Sequence, residues 1–138
     1  MSSSRWVRSE RPNEAGVPTG GRGVRLSEAP SVSVVIVSCG RPADLEECLR
    51  SLLPRCQAFG VEIVVVRAAT REELEPLVRA YSSVQFATAP PRSSAAELRA
   101  RGVAEAAGDI VAITEDDGAI SDAWLAPFVA AIRRESHR

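Results

Sequence analysis

Three consecutive carboxylates, Glu115, Asp116 and Asp117, follow an apolar run that ends at Thr114. Glu115 and Asp117 are two positions apart, so in an extended segment their side chains project to the same side. Hard cations such as Mg²⁺ and Mn²⁺ prefer carboxylate oxygens and often share them with the phosphates of a substrate. The spacing therefore indicates a divalent-metal site on Glu115 and Asp117. The alternative is a solvated acidic turn, in which the three charges only repel one another.

A second polar loop follows the apolar run Val32 to Val37. It offers the small polar side chains of Ser38 and Cys39, the flexible Gly40 and the guanidinium of Arg41. An arginine here can pair with a phosphate or with the acids of the other loop. The alternative for Arg41 is an ordinary surface arginine.

The composition excludes several classes of chemistry. All 17 basic residues are arginine, which removes Schiff-base lysines and the phosphate-binding lysine of a P-loop. The sole histidine, His137, lies near the chain end, so Ser38 and Cys39 have no histidine base in the folded region. Basic and acidic groups nearly cancel, which predicts no nucleic-acid partner. Three cysteines without paired spacing argue against a structural zinc site.

Apolar runs and amphipathic segments alternate four times from residue 31 to 134, which predicts one α/β domain. The expected sheet is doubly wound, mostly parallel and about four strands wide. Four strands are predicted, with a helix after each; their ranges are Val32 to Val37, Val61 to Val66, Val84 to Thr88 and Ile110 to Thr114. In such sheets ligands bind beyond the carboxyl ends of the strands, where both polar loops lie.

Helix signals accompany this pattern. Thr70 and Glu73 have the spacing of a capping box, although Pro76 suggests a kinked helix or a start nearer Glu75. Arg99 and Arg101 are two positions apart on the next predicted helix, so at most one of them points toward the cleft.

Residues 1 to 30 differ from the rest, because they are rich in serine, proline and glycine, mildly basic and poor in core-forming side chains. They are interpreted as a disordered basic arm, and residues 31 to 138 as the domain. No apolar run is long enough to cross a bilayer, and the N-terminus lacks an apolar secretory stretch, so a cytoplasmic protein without a transmembrane segment is expected.

The order of motifs resembles family 2 glycosyltransferases, which have the GT-A fold. The resemblance covers about 100 residues, and its motifs are Val32-Ser33-Val34-Val35-Ile36, Arg41-Pro42, Leu49-Arg50-Ser51-Leu52, Glu62-Ile63-Val64-Val65-Val66, Arg99 with Gly102, Gly108-Asp109-Ile110-Val111, Thr114-Glu115-Asp116-Asp117 and Trp124-Leu125. It implies the nucleotide-sugar-binding half of such an enzyme, in a truncated GT-A-like domain.

This resemblance also implies roles for residues. Glu115 and Asp117 correspond to the family's acidic motif, which holds Mg²⁺ or Mn²⁺ on the diphosphate of a nucleotide sugar. The positions implied to bind the nucleotide sugar are Ser38, Cys39, Arg41, Arg99 and Asp116. No residue is assigned a catalytic role.

Two departures separate this chain from the family pattern. Arg67-Ala68-Ala69-Thr70 stands where the family usually has Asp-Asp-Gly-Ser, with an acid that contacts the nucleotide base. The sequence also ends one helix after the acidic motif, whereas the family continues into an acceptor-binding half with the general base. The resemblance thus implies a transferase that either acts with a protein partner carrying that half or is the amino-terminal portion of a longer enzyme. The alternatives are a non-catalytic binding or interaction module of the same fold, and an unrelated α/β binding domain.

Overall fold

The computed structural model describes residues 4–8, 30–116 and 124–135, and it shows an α/β fold around one mixed sheet. The elements are, in chain order, β1 (Ser4–Arg8), β2 (Val32–Ser38), α1 (Pro42–Phe59), β3 (Glu62–Ala68), α2 (Arg71–Ala80), β4 (Gln85–Ala89), α3 (Ala95–Glu105), β5 (Ile110–Glu115) and α4 (Leu125–Glu135). The strand order across the sheet is β1-β5-β2-β3-β4. Strands β2 to β5 are parallel, and β1 is antiparallel to β5. The doubly wound, mostly parallel sheet predicted from the sequence is confirmed.

The central strand β2 is buried along its whole length, because helices cover both faces of the sheet. Residues with even numbers in β2, such as Val34 and Ile36, pack with α1 and α4 through Leu49, Leu52 and Leu125. Residues with odd numbers, such as Val35 and Val37, form the other core with Leu98 and Ala106. The period of two along the strand therefore divides its apolar side chains between two cores.

Local signals in the sequence explain the helix starts. Pro42 is the first residue of α1, where its missing N–H costs nothing. Thr70 and Glu73 form the predicted capping box at the start of α2, and Ser94 caps α3 in the same way with Glu97. The alternative start of α2 near Glu75 is not observed, because α2 begins at Arg71 and continues through Pro76.

The first strand is a correction to the interpretation of residues 1 to 30 as a disordered arm. Ser4–Arg8 pairs with the whole of β5 up to Thr114, so the sheet has a fifth strand. The arm was inferred from its lack of core-forming side chains, but an edge strand can be held by backbone hydrogen bonds alone. Residues 9–29 lie outside the described residues, so the rest of that interpretation stays a prediction.

A polar cluster fixes the amino end of the sheet, opposite the two loops. The buried Ser33 hydroxyl donates to the Glu62 carboxylate at 2.5 Å and accepts the Gly108 N–H at 2.8 Å. The Ala107 N–H donates to the same Glu62 oxygen at 2.9 Å. These bonds attach the turn between α3 and β5 to β2 and β3. Within the described residues, no helix has the length and apolar character needed to span a membrane.

Candidate functional site

The two polar loops meet at the carboxyl ends of β2 and β5. After β2 the chain moves outward through β3 and β4, and it then returns to form β5 on the other side of β2. The order of the strands in the sheet therefore reverses between β2 and β5, and in such sheets ligands bind beyond the carboxyl ends of the strands at this point. In the register of the two strands Val37 lies opposite Glu115, which brings Ser38 next to Asp116. The topology thus joins the two groups of candidate residues.

Asp116 points into the protein, where its carboxylate holds the loop after β2. It is only 2% exposed. One carboxylate oxygen, Oδ2, accepts the Ser38 hydroxyl at 2.5 Å, and Oδ1 accepts the N–H groups of Cys39 and Gly40 at 3.2 and 3.3 Å. Three donors from one loop therefore satisfy both carboxylate oxygens. Ser38 is as buried as Asp116. Both side chains thus support the loop rather than present an exposed surface to a ligand.

Arg67 fixes the same loop from the side of β3. Its Nη1 donates to the Ser38 hydroxyl and to the Gly40 carbonyl, both at 2.8 Å. Sequence reasoning treated Arg67 only as the replacement of an expected acid and missed this contact. Arg67 lies near the carboxyl end of β3, which is adjacent to β2, and its register partner is Ser38. This position is the feature of the sequence from which the contact could have been predicted.

Glu115 is the last residue of β5, and its side chain contacts a cationic group. Its Oε2 lies 3.7 Å from Nη2 of Arg99, and about one third of each side chain is exposed. Of the two arginines considered on α3, Arg99 is thus the one that reaches the acidic loop. An exposed carboxylate that already attracts a guanidinium is a suitable oxygen ligand for a hard cation. Asp117 lies outside the described residues, and no three potential ligands converge among the residues that the structure describes.

Arg41 is placed away from the acidic loop. Its guanidinium pairs with Asp44 in the first turn of α1, with Nη2 and Oδ1 3.2 Å apart, and its side chain is 81% exposed. The Arg41 N–H also donates to Asp44 Oδ2 at 3.2 Å, which places this carboxylate at the helix start. Hydrogen bonds from the Arg41 guanidinium, and then the one from its backbone N–H, lower the pKa of Asp44. Most of the Arg41 side chain is therefore exposed to solvent, and its charged partner is Asp44 rather than Glu115 or Asp116.

Cys39 is the exposed thiol of the site, whereas Cys48 and Cys56 are buried. Partial burial raises the pKa of the Cys39 thiol above its usual range, and the negative charges of Asp116 and Glu115 raise it further. The charges of Arg67 and Arg99 oppose this effect. The thiol is therefore protonated at neutral pH and lies among all four charged groups of the site.

The charge environment of Cys39 predicts the effect of Glu115→Gln on its alkylation. Removing a nearby negative charge stabilises the thiolate, so the pKa of Cys39 falls and more thiolate is present at pH 8. We expect a maleimide to label Cys39 faster in Glu115→Gln than in the wild type, as measured by mass spectrometry over time. Glu72→Gln, an exposed acid on α2, is the control and should leave the rate unchanged. Equal rates in all three proteins would contradict the placement of Glu115 beside Cys39.

Comparison with known proteins agrees with this arrangement. The family model for glycosyl transferase family 2 matches residues 33–138, which include both loops and every element from β2 onward. No curated protein matches the sequence significantly. The matched segment covers most of the chain, and the chain therefore belongs to glycosyl transferase family 2.

Proposed function

We propose that this glycosyltransferase domain binds a nucleoside-diphosphate sugar in a crevice beyond the carboxyl ends of β2 and β5. The observation that carries the proposal is the contact between the partly exposed side chains of Glu115 and Arg99 at the carboxyl end of β5. This location offers both an acid for a metal and a guanidinium for a phosphate. Membership of the family supports a sugar nucleotide as the ligand.

In this proposal the acids have separate tasks. Glu115 holds Mg²⁺ or Mn²⁺ together with Asp117, which follows two residues later on the same side of an extended segment. When bound, the metal neutralises charge on the departing nucleoside diphosphate. Asp116 keeps the loop after β2 in place through Ser38, and it contributes to ligand binding only by positioning that loop. Cys39 and Arg99 line the nucleotide, and the exposed Arg41 is a further candidate for a phosphate contact.

Sugar transfer requires an additional protein component in this proposal. The described residues contain no histidine, and the carboxylate of Asp116 is occupied by three donors. A general base for the acceptor hydroxyl contributes typically about 10²–10⁴-fold in rate. We expect an acceptor-binding half, carried by a partner protein or by a longer form of this chain, to supply it.

A non-catalytic binding module is the second candidate, and Arg67 is the observation that favours it. The guanidinium takes the place of an acid of the family pattern and donates to Ser38 and Gly40. Recognition of the nucleotide base by a carboxylate is thus absent at this position. The two candidates share the binding site and differ in whether any partner restores transfer.

Asp117→Asn is expected to abolish the metal-dependent part of nucleotide binding, because it keeps the side-chain size but removes one ligand charge. Isothermal titration of the full chain with uridine and guanosine diphosphates, with and without Mn²⁺, measures this. Glu72→Gln is the control and should bind as the wild type does. Urea unfolding should show no loss of stability in Asp117→Asn, since relief of carboxylate repulsion offsets small losses.

The location of binding is checked by protection of Cys39. A nucleotide in the proposed crevice should slow maleimide labelling of Cys39, and the two buried cysteines serve as the internal reference. Binding without metal, or unchanged affinity in Asp117→Asn, would remove the acidic loop from the proposal. Measurable sugar transfer by the purified chain would contradict the need for a partner.

A further inference from the structure

A cavity outside the two polar loops lies at the carboxyl end of β4. It is lined by the loop from Ala89 to Ser93 and by Glu97 and Arg101 of α3, and its volume is about 290 Å³. Pockets that bind small molecules start at about 300 Å³, so this cavity suits a small ligand. The proposed nucleotide site uses none of these residues, so the proposed function gives the cavity no role.

The helix α3 separates this cavity from the nucleotide site. Successive residues of an α-helix are rotated by about 100°, so Arg99 and Arg101 project in nearly opposite directions. Arg99 contacts Glu115 of β5, whereas Arg101 lines the cavity beside β4. Strand β4 is at one end of the strand order, three positions from β5. A ligand in the cavity would therefore bind on the other side of α3 from a nucleotide beside Glu115.

Two arginines of the cavity have no partner in the described part of the chain. Neither the Arg92 nor the Arg101 guanidinium makes a hydrogen bond or an ion pair with a described residue. Glu97 is four residues before Arg101, a spacing at which helical ion pairs form. Its carboxylate instead accepts the Ser94 N–H at 2.7 Å, in the capping box of α3. The cavity thus has two uncommitted positive charges and one negative charge that is already engaged.

The backbone of Arg92 has a conformation that favours glycine. The Ser93 N–H donates to the Pro90 carbonyl at 3.2 Å, which closes a β-turn with Pro91 second and Arg92 third. Arg92 has a φ of 72°, and a positive φ after proline is the pattern of a type II turn, whose third position favours glycine or asparagine. Residues held in such conformations cluster at ligand sites. An arginine here gives up the relaxed backbone of glycine and provides a guanidinium at the cavity.

We propose that this cavity binds the phosphate group of a small phosphomonoester, between the guanidinium groups of Arg92 and Arg101. A phosphomonoester has nearly two negative charges at neutral pH and three acceptor oxygens, so it can pair with two arginines at once. A carboxylate has one charge, and a single bidentate arginine satisfies both of its oxygens. With Glu97 counted, two positive charges against one negative charge leave the cavity positive, so attraction increases with the charge of the ligand.

Titration of the full chain with methyl phosphate at pH 8, followed through backbone amide shifts by nuclear magnetic resonance, tests the site. We expect saturable shifts centred on Ser93 and Arg101, with no comparable change at Ser38 or Glu115. Methyl sulfate has a similar shape but one charge, and it should bind at least about fivefold more weakly. Lowering the pH to 5 protonates methyl phosphate, since its second pKa is about 6, and should weaken binding in the same direction.

Two variants each remove one guanidinium, and a third is the matched control. Arg92→Asn and Arg101→Gln should each weaken methyl phosphate binding by about fivefold or more, because each loses a charge-assisted contact. Arg71→Gln removes an exposed arginine of α2 and should bind as the wild type does. Asparagine tolerates a positive φ, so urea unfolding should show Arg92→Asn to be at least as stable as the wild type. Weaker binding in that variant then reports the lost guanidinium rather than unfolding.

A saturating nucleoside diphosphate with Mg²⁺ checks that the two sites are distinct, and it should leave methyl phosphate bound. Displacement by the nucleotide would assign the phosphate to the nucleotide site and overturn the inference. Equal binding of methyl sulfate, shifts that avoid Ser93 and Arg101, or unchanged affinity in either arginine variant of the cavity would overturn it too. These measurements need no bound nucleotide, so a failure of the proposed function would not affect them.

Discussion

Asp116→Ala is expected to lower the free energy of unfolding by roughly 3–5 kcal/mol, the range for removal of one partner from a buried charged network. The substitution leaves the Ser38 hydroxyl and the N–H groups of Cys39 and Gly40 without their acceptor. It also removes the carboxylate that shares the Ser38 hydroxyl with Arg67. Urea unfolding, monitored by circular dichroism, measures the loss.

Two further substitutions separate this network from a general effect of removing an acid. Asp116→Asn can still accept the backbone N–H groups, and its amide can donate to Ser38, so a loss below about 2 kcal/mol is expected. Asp44→Ala removes a partly exposed acid in the first turn of α1 and should cost clearly less than Asp116→Ala. Similar losses in Asp116→Ala and Asp44→Ala would contradict the role of Asp116 in holding the loop after β2.

Gly108→Ala is the second substitution with a large expected effect, a loss of about 3 kcal/mol in unfolding free energy. A Cβ at this position would lie 2.6 Å from Ser33 Oγ, 2.7 Å from the Ser33 nitrogen and 2.9 Å from the Val32 carbonyl carbon. Two of these atoms belong to the backbone of β2, so a change of side-chain rotamer cannot relieve the contact. The turn before β5 must then move away from β2.

Gly60→Ala is the matched control for this prediction. Gly60 ends α1 with φ of 68°, and nothing lies within 4 Å of a Cβ built there. Only the left-handed conformation is penalised, at about 1 kcal/mol. Thermal and urea unfolding of both variants should therefore show a clearly larger loss for Gly108→Ala. A smaller loss in Gly108→Ala than in Gly60→Ala would mean that the turn does not pack on β2 as described.

The parts of the fold that the sequence predicted are those fixed by local patterns. Uninterrupted apolar runs predict strands that are buried on both faces, and β2 is such a strand. The capping box of Thr70 and Glu73 depends on residues three positions apart, so no tertiary information was needed to identify it. The strand β1 escaped prediction because the pairing of Ser4–Arg8 with β5 depends on backbone bonds between distant parts of the chain.

The site was predicted in part for the same reason. The resemblance implied that Asp116 binds the nucleotide sugar, and nothing in the sequence indicated that its carboxylate is buried. Spacing could not show which donors would surround that carboxylate. Arg67 is 27 residues from Gly40 and 29 residues from Ser38 in the sequence. Its contacts with them therefore depend on the register of β2 and β3.

The central place of β2 has a consequence for synthesis of the chain on the ribosome. Strand β2 is made before either of its neighbours, and β5 follows Ser38 only after about 70 further residues, roughly 4–15 s at ordinary rates of translation. Until then one edge of Val32–Ser38 is unpaired. This strand is apolar, lacks charge and proline, and has the composition of aggregation-prone segments. Slow translation between β3 and β5 therefore prolongs the exposure of this aggregation-prone strand.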